Sequence, residues 1–262
     1  MITAWQRVQK ARDIGRAKPM DFVNYLFEDI IILKGDRQFA DDGSIYGGIA
    51  RFNEKPITFI AGGKAHDLDN NIKANFGMTN PEGYRKAMRL MKQAEKFGRP
   101  IITFVDTPGA YPGLGAEERG QGEAIARLIM VMQSVKVPTI VVVTGEGGSG
   151  GALAISMGDV IYMLENAVYS ILSPEGFSSI LWKDRSQVER ASDLMKLTAY
   201  DLKEFEIIDE IVEEDDDFNT GNYEPVFERV RKLISNAILE LENEDTEQLI
   251  EKRINRFRKI GR

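Results

Sequence analysis

Val141-Val-Val-Thr-Gly-Glu-Gly-Gly-Ser-Gly-Gly-Ala-Leu-Ala154 runs from an apolar stretch into a glycine cluster and out into small, helix-forming residues. The stretch 140–143 is too evenly apolar for a strand with one wet face and too short for a helix, so it reads as a strand buried on both sides. Three motifs overlap in the cluster. Gly145-x-Gly147-x-x-Gly150 fits a dinucleotide fingerprint, with Glu165 twenty residues beyond Gly145, where a ribose-binding acid is expected. Gly147-x-Ser149-x-Gly151 fits the elbow that presents a nucleophilic serine, but that chemistry needs a downstream histidine, and the single histidine, His66, lies upstream. A phosphate P-loop fails because no Gly-Lys-Ser/Thr follows. One property is independent of all three motifs. Glycines at a helix start leave backbone N–H groups uncovered with the helix dipole behind them, and such a place binds an oxyanion. The plainer alternative is that the glycines only let strand and helix pack closely.

Upstream, Pro100-Ile-Ile-Thr-Phe-Val-Asp106 is a second buried strand, followed by the Gly/Pro-rich loop Thr107-Pro-Gly-Ala-Tyr-Pro-Gly-Leu-Gly115. Two rigid, backbone-exposing loops after parallel strands belong at one edge of a sheet, and that edge is the predicted site. A helix is predicted from near Ala116, with Glu117 and Glu118 in its first turn and Ile125, Leu128, Ile129 and Met132 on one stripe. Another follows Asn80 as N-cap and Pro81, carries Tyr84, Ala87, Met88 and Met91 on one face, and ends at Gly98. Residues 20–33 read as helical, and 46–52 and 57–60 as strands joined by a turn at 53–55. The segment 204–217 carries acids without Lys or Arg. After it, 225–241 and 246–260 read as two helices, either extending outward as an interaction element or packed on the core. Alternating short strands and helices give an α/β architecture with largely parallel pairing.

The whole chain has 262 residues with 34 Lys plus Arg against 41 Asp plus Glu, a net charge of −7, enough for one large domain. Disorder, collagen and disulfide scaffolds are excluded by this composition, and no apolar run approaches the roughly 18 residues that span a bilayer. Arg7, Lys10, Arg12, Arg16 and Lys18 precede no apolar h-region, so no secretory signal is expected and the protein is read as soluble and cytoplasmic. With no cysteine and one histidine, disulfides, thiolate nucleophiles, Cys/His metal sites and most imidazole catalysis drop out. Two donor loops and almost no imidazole point to electrostatic stabilisation of a developing oxyanion, with the proton acceptor supplied by substrate or cofactor.

Four blocks then carry a resemblance: Asn75-Phe-Gly-Met78 with Pro81-Glu-Gly-Tyr-Arg-Lys86; Ile101 through Gly113 with Gly115-Ala-Glu-Glu-Arg-Gly-Gln121; Gly145-Glu-Gly-Gly-Ser-Gly-Gly-Ala152; and Ser173-Pro-Glu-Gly176 with Ser179-Ile-Leu-Trp-Lys183. Over roughly residues 20–215 the chain resembles the bacterial acetyl-CoA carboxylase carboxyltransferase alpha-subunit family, in the crotonase/ClpP superfamily. The resemblance implies a repeated ββα superhelix with a C-terminal helical extension. One carboxyltransferase domain would cover 1–262, with a short basic helical arm at 1–18, a core at about 19–215 and helices at about 223–262. It implies transfer of a carboxyl group from carboxybiotin on a separate carrier protein to acetyl-CoA, giving malonyl-CoA for fatty acid biosynthesis. By the same analogy the amides of Gly150 and Gly151 form a backbone oxyanion hole. Gly147, Gly148, Gly109, Ala110 and Tyr111 shape the substrate side, and this chain holds no metal.

The implied partners are a zinc-ribbon beta subunit in an α2β2 assembly, the biotin carboxyl carrier protein and biotin carboxylase, with neither membrane nor nucleic acid expected. Two departures from the family stand out: a helical N-terminal extension is largely missing, and Gly63-Lys64-Ala65 and Lys73-Ala74 replace a Gln-Lys-Gly element and paired arginines. The competing readings are an NAD-dependent oxidoreductase resting on the Gly145 fingerprint, and a non-catalytic assembly subunit. Among other candidates, His66 reads as a solvated side chain and Arg119 as either idle or paired with a carboxylate or ligand. The basic run Lys252, Arg253, Arg256, Arg258, Lys259 and Arg262 reads as a solvated helix face.

Overall fold

Both apolar runs lie at the centre of an eight-stranded sheet in the computed structural model, which describes residues 2–261. The strands are β1 (Glu28–Ile32), β2 (Ile45–Phe52), β3 (Lys55–Gly63), β4 (Ile101–Thr107), β5 (Thr139–Gly148), β6 (Val160–Leu164), β7 (Val168–Ser170) and β8 (Glu210–Val212). Their order is β1-β2-β3-β4-β5-β6-β8, with β7 pairing the end of β5. The β1–β2–β3 meander is antiparallel and every other pairing is parallel. Every residue of β4 is buried, as its unbroken apolar pattern requires.

The helices are α1 (Ala4–Ala11), α2 (Pro19–Leu26), α3 (Leu68–Lys73), α4 (Pro81–Lys96), α5 (Leu114–Glu118), α6 (Gln121–Ser134), α7 (Ser149–Leu153), α8 (Pro174–Trp182), α9 (Val188–Met195), α10 (Ala199–Glu204), α11 (Glu224–Leu241) and α12 (Thr246–Lys259). None is long and apolar enough to cross a membrane among the described residues. The α4 boundaries fall as predicted, with Pro81 in the first turn and Gly98 beyond its end. Asn80 holds the N-cap position without a cap bond: its side-chain oxygen accepts from Arg119 at 3.4 Å while its amide nitrogen donates to Asp42 at 3.1 Å.

Two predicted helices are corrected. The segment 20–33 is α2 followed by strand β1, since three consecutive β-branched isoleucines at 30–32 favour pairing along β2 over a third helical turn. The helix near Ala116 is two helices broken at Gly120, whose φ of +80° leaves the helical region. Leu128 and Met132 are nevertheless buried on the α6 stripe, with Ile125 and Ile129 packed beside them.

Of the two readings of the C-terminal helices, the packed pair is observed. Val226, Phe227, Val230, Ile234 and Ile238 of α11 enter the core, and α12 docks through Leu249 and Arg253. The solvated-face reading of the basic run is therefore wrong at two positions. Arg253 is fully buried, bonding Asp159 through Nε and a terminal nitrogen, both at 2.7 Å, and the carbonyls of Met132, Val135 and Val137. Arg256 reaches Asp209 at 2.7 Å. The acidic segment supplies such clamps throughout: Glu214 takes buried Arg16 at 2.5 Å, tying the N-terminal arm to the core, and Asp215 takes Arg229 at 2.6 Å.

Candidate functional site

Because β4 and β5 are adjacent and parallel, the loops that leave them emerge side by side, as the sequence predicted. They touch, and glycine is what lets them. A Cβ on Gly148 would stand 2.1 Å from the Pro108 carbonyl oxygen, and one on Gly151 would stand 2.5 Å from the Ala110 nitrogen. Any side chain at either position would push the loops apart. Gly109, Gly147 and Gly151 are buried, while Gly148, Gly150, Ala110 and Tyr111 are partly open to solvent.

The backbone donors divide into two sets. The Gly109 N–H bonds Thr107 Oγ1 at 3.0 Å and the Tyr111 N–H bonds the Thr79 carbonyl at 3.0 Å, so these two anchor the loop. The N–H groups of Gly150, Gly151 and Ala110 meet no acceptor among the described residues. Gln121 holds the Ala110 loop in place, its amide donating to the carbonyls of Thr79 at 2.8 Å and Tyr111 at 3.0 Å. One expectation is revised here: α7 has only 5 residues, too short to sum a large dipole, so individual amides rather than a helix field carry the positive potential.

Beneath the glycines lies an ion network that sequence reasoning missed. Glu146 sits between Gly145 and Gly147; its carboxylate takes Lys64 Nζ at 2.5 Å and Arg12 Nε at 2.7 Å, and its N–H bonds Asp106 Oδ1 at 2.9 Å. Arg12 also reaches Glu175 of α8 at 2.7 Å, clamping the N-terminal arm to both elements. Burial alone would raise the Glu146 pKa, but the charges of Lys64 and Arg12 outweigh it and hold the carboxylate below its ordinary range. Burial likewise opposes the charged form of Lys64, while Asp106 and Glu146 overcome it and push its pKa up. Lys64 is thus occupied by carboxylates rather than free for a phosphate. A charged residue between two glycines at the end of an apolar strand was the available signal.

The competing motifs lose their footing in this geometry. Gly145 and Gly147 lie inside β5 rather than in a turn. The parallel strands run in sequence order, with no reversal to open a dinucleotide crevice. Glu165 is held by Arg7 and Tyr200, the latter at 3.0 Å, and serves as a structural tie. Ser149 does adopt an elbow-like backbone, with φ of +53°, and is exposed, but His66 bonds Asp21 at 2.6 Å from a half-exposed loop. Arg119 has its carboxylate partner in Glu82 and stacks over Phe39 at 4.8 Å. A surface hollow of about 1360 Å³ lies elsewhere, against Asp209, Lys252 and Arg256.

A family model described as acetyl co-enzyme A carboxylase carboxyltransferase-like matches residues 1–261. The chain is 52% identical over 252 residues to the acetyl-coenzyme A carboxylase carboxyl transferase subunit alpha of Streptococcus equi subsp. zooepidemicus, covering 96% of this chain and 97% of that protein. It is 50% identical over 261 residues to the same subunit of Clostridium acetobutylicum, covering 100% and 95%. Among solved structures, transcarboxylase 12S superposes with a TM-score of 0.70 at 18% identity, over 90% of this chain and 45% of that one. A Pseudomonas malonate decarboxylase hetero-tetramer in complex with coenzyme A gives 0.68 at 15% identity, over 84% and 89%. These likenesses show the shared crotonase-like fold.

Proposed function

The chain belongs to the acetyl-CoA carboxylase carboxyltransferase alpha-subunit family, and from that premise we propose that the free amides of Gly150, Gly151 and Ala110 hold the oxyanion of the transfer reaction. It is a carboxyltransferase subunit whose substrate is an acyl-CoA. The finer reading is acetyl-CoA converted to malonyl-CoA with carboxybiotin as donor, in an α2β2 complex with a zinc-ribbon beta subunit. That complex would be served in the cytoplasm by the carrier protein and biotin carboxylase.

The residues suit biotin's chemistry: the group presents a neutral oxygen that gains charge, and this site offers backbone donors that make no hydrogen bond among the described residues. Biotin, when bound, supplies the carboxyl group and a proton acceptor, so the chain needs no general base of its own and its poverty in histidine is accounted for. Gly150 and Gly151 donate to oxygen as it becomes anionic, and each such preorganised donor is worth about 3 kcal/mol in the transition state. Thr107, Thr79 and Gln121 anchor the facing loop that carries the Ala110 N–H. Lys64, Arg12 and Asp106 hold Glu146, and with it the strand end that carries the glycines.

The carrying observation is the set of unpaired amides on two touching loops. The test mixes the chain with its cognate beta subunit and follows malonyl-CoA-dependent carboxylation of biocytin. Gly151→Val, which forces the loops apart, is expected to give an assembled complex with turnover lowered at least about 100-fold. Unchanged turnover in that variant would return the glycines to a purely structural role.

A further inference from the structure

Tyr84 lies on the core-facing stripe of α4 and is fully buried, yet its hydroxyl has no hydrogen-bond partner. A buried polar group left unmade is costly, and the great majority in native proteins are paired. The nearby Thr79 oxygen accepts from Ser44 at 2.7 Å and lies beside the phenol short of full hydrogen-bond geometry; a Thr79 O–H turned toward the phenol oxygen would still leave the phenol's own O–H unspent. A phenylalanine would fill the same space without the penalty.

The location of the hydroxyl supplies a reason for it. A Cβ built on Gly151 would lie 2.7 Å from the Tyr84 oxygen and 2.5 Å from the Ala110 nitrogen, so the phenol points into the corner where the two donor loops meet. Three backbone donors and one side-chain donor that make no hydrogen bond among the described residues therefore gather around Gly151. Burial pushes the phenol pKa up, so it stays protonated and remains a donor across the working range.

We propose that the Tyr84 hydroxyl is a further donor of the anion site, engaging the oxygen seated on the Gly151 and Ala110 amides once the cleft is loaded. This inference rests on the amide-site reading above and deepens it. In the free chain the hydroxyl is closed off from solvent, so reaching a bound oxygen would take a slight shift of the 108–111 loop off Gly151 on loading. A donor whose bond strengthens as the seated oxygen gains negative charge stabilises the transition state more than the loaded ground state.

The test is Tyr84→Phe in the complex assembled with the beta subunit. The expected result is a kcat for biocytin carboxylation lowered about 100-fold with KM for malonyl-CoA unchanged. In the same variant the Tm of the unliganded chain should equal or exceed that of the parent. A fluorotyrosine at this position should shift its fluorine resonance when malonyl-CoA and biocytin saturate the complex. Retained kcat, or a resonance indifferent to both ligands, overturns the proposal; so does a lowered unliganded Tm, which marks a merely structural hydroxyl. Gly151→Val run in parallel separates the failures. If it is inactive while Tyr84→Phe turns over normally, the amide site stands and only the phenol's role falls. If both turn over normally, the site reading itself falls.

Discussion

Arg253→Met tests whether the basic C-terminal run acts inside the protein. The arginine has no exposed side-chain surface, and Asp159 opposite has 4%. The replacement removes two bonds of 2.7 Å to Asp159 and uncovers the carbonyls of Met132, Val135 and Val137, while the apolar stem keeps its packing. The Thr139 N–H, 2.8 Å from Asp159, is then the main donor holding a buried carboxylate. Stripping one partner from a buried pair costs about 3–5 kcal/mol, because the other charge is left uncompensated. For a chain of this size that lowers Tm by about 10 °C. The contacts sit at the strand starts (Thr139 and Asp159), at the sheet edge opposite the glycine loop, so carboxyl transfer at a temperature well below the transition should stay within about twofold of the parent. Adding Asp159→Asn should recover part of the loss. Calorimetric or circular-dichroism melting of the two single variants and the double variant, with activity at low temperature, provides the readout. A Tm drop below about 3 °C, or a loss of activity without one, would refute the assignment.

Glu146 and Glu214 are both held below their ordinary 4.5 against the opposing effect of burial, Glu146 by Lys64 and Arg12 and Glu214 by Arg16 and Asn166. A depressed carboxylate stabilises the fold above its unfolded pKa and loses that contribution as pH falls through the native one, so Tm should drop steeply below about pH 4.5. Glu146→Gln should flatten that acid limb while lowering Tm at pH 7, and an unaltered limb would contradict the network's role. Gly148→Ala places a Cβ 2.1 Å from the Pro108 carbonyl oxygen and should lower turnover more than tenfold with the alpha–beta complex still eluting as one species; normal kinetics would show that the loops need not touch. Ser149→Gly relieves a left-handed backbone and should keep carboxyl transfer, assayed with biocytin; loss of turnover there would reopen a nucleophilic role for the hydroxyl.

The sheet was legible because β4 and β5 are buried on both faces and therefore show as unbroken apolar runs, and because the loops after them announce themselves in Gly and Pro. What escaped was what depends on partners distant in sequence. Ile30, Ile31 and Ile32 form a strand only because β2 offers them a ladder. Arg253 reads as surface until Asp159, Val135 and Val137 surround it. Within the site, the glycines were visible as residues, but no pattern in the chain distinguishes the paired amides of Gly109 and Tyr111 from the unpaired ones of Ala110, Gly150 and Gly151. Tyr84 was read correctly as core, and its orphaned oxygen becomes apparent only when its neighbours are assigned.

The contact between the loops also limits how this enzyme can change under drug pressure. An inhibitor whose oxygen seats on the Ala110, Gly150 and Gly151 nitrogens would be gripped by atoms every amino acid except proline possesses. The usual route to resistance, enlarging a residue to evict the compound, is obstructed at 148 and 151 because the added carbon strikes the facing main chain first. Escape would have to come from substitutions away from these two positions.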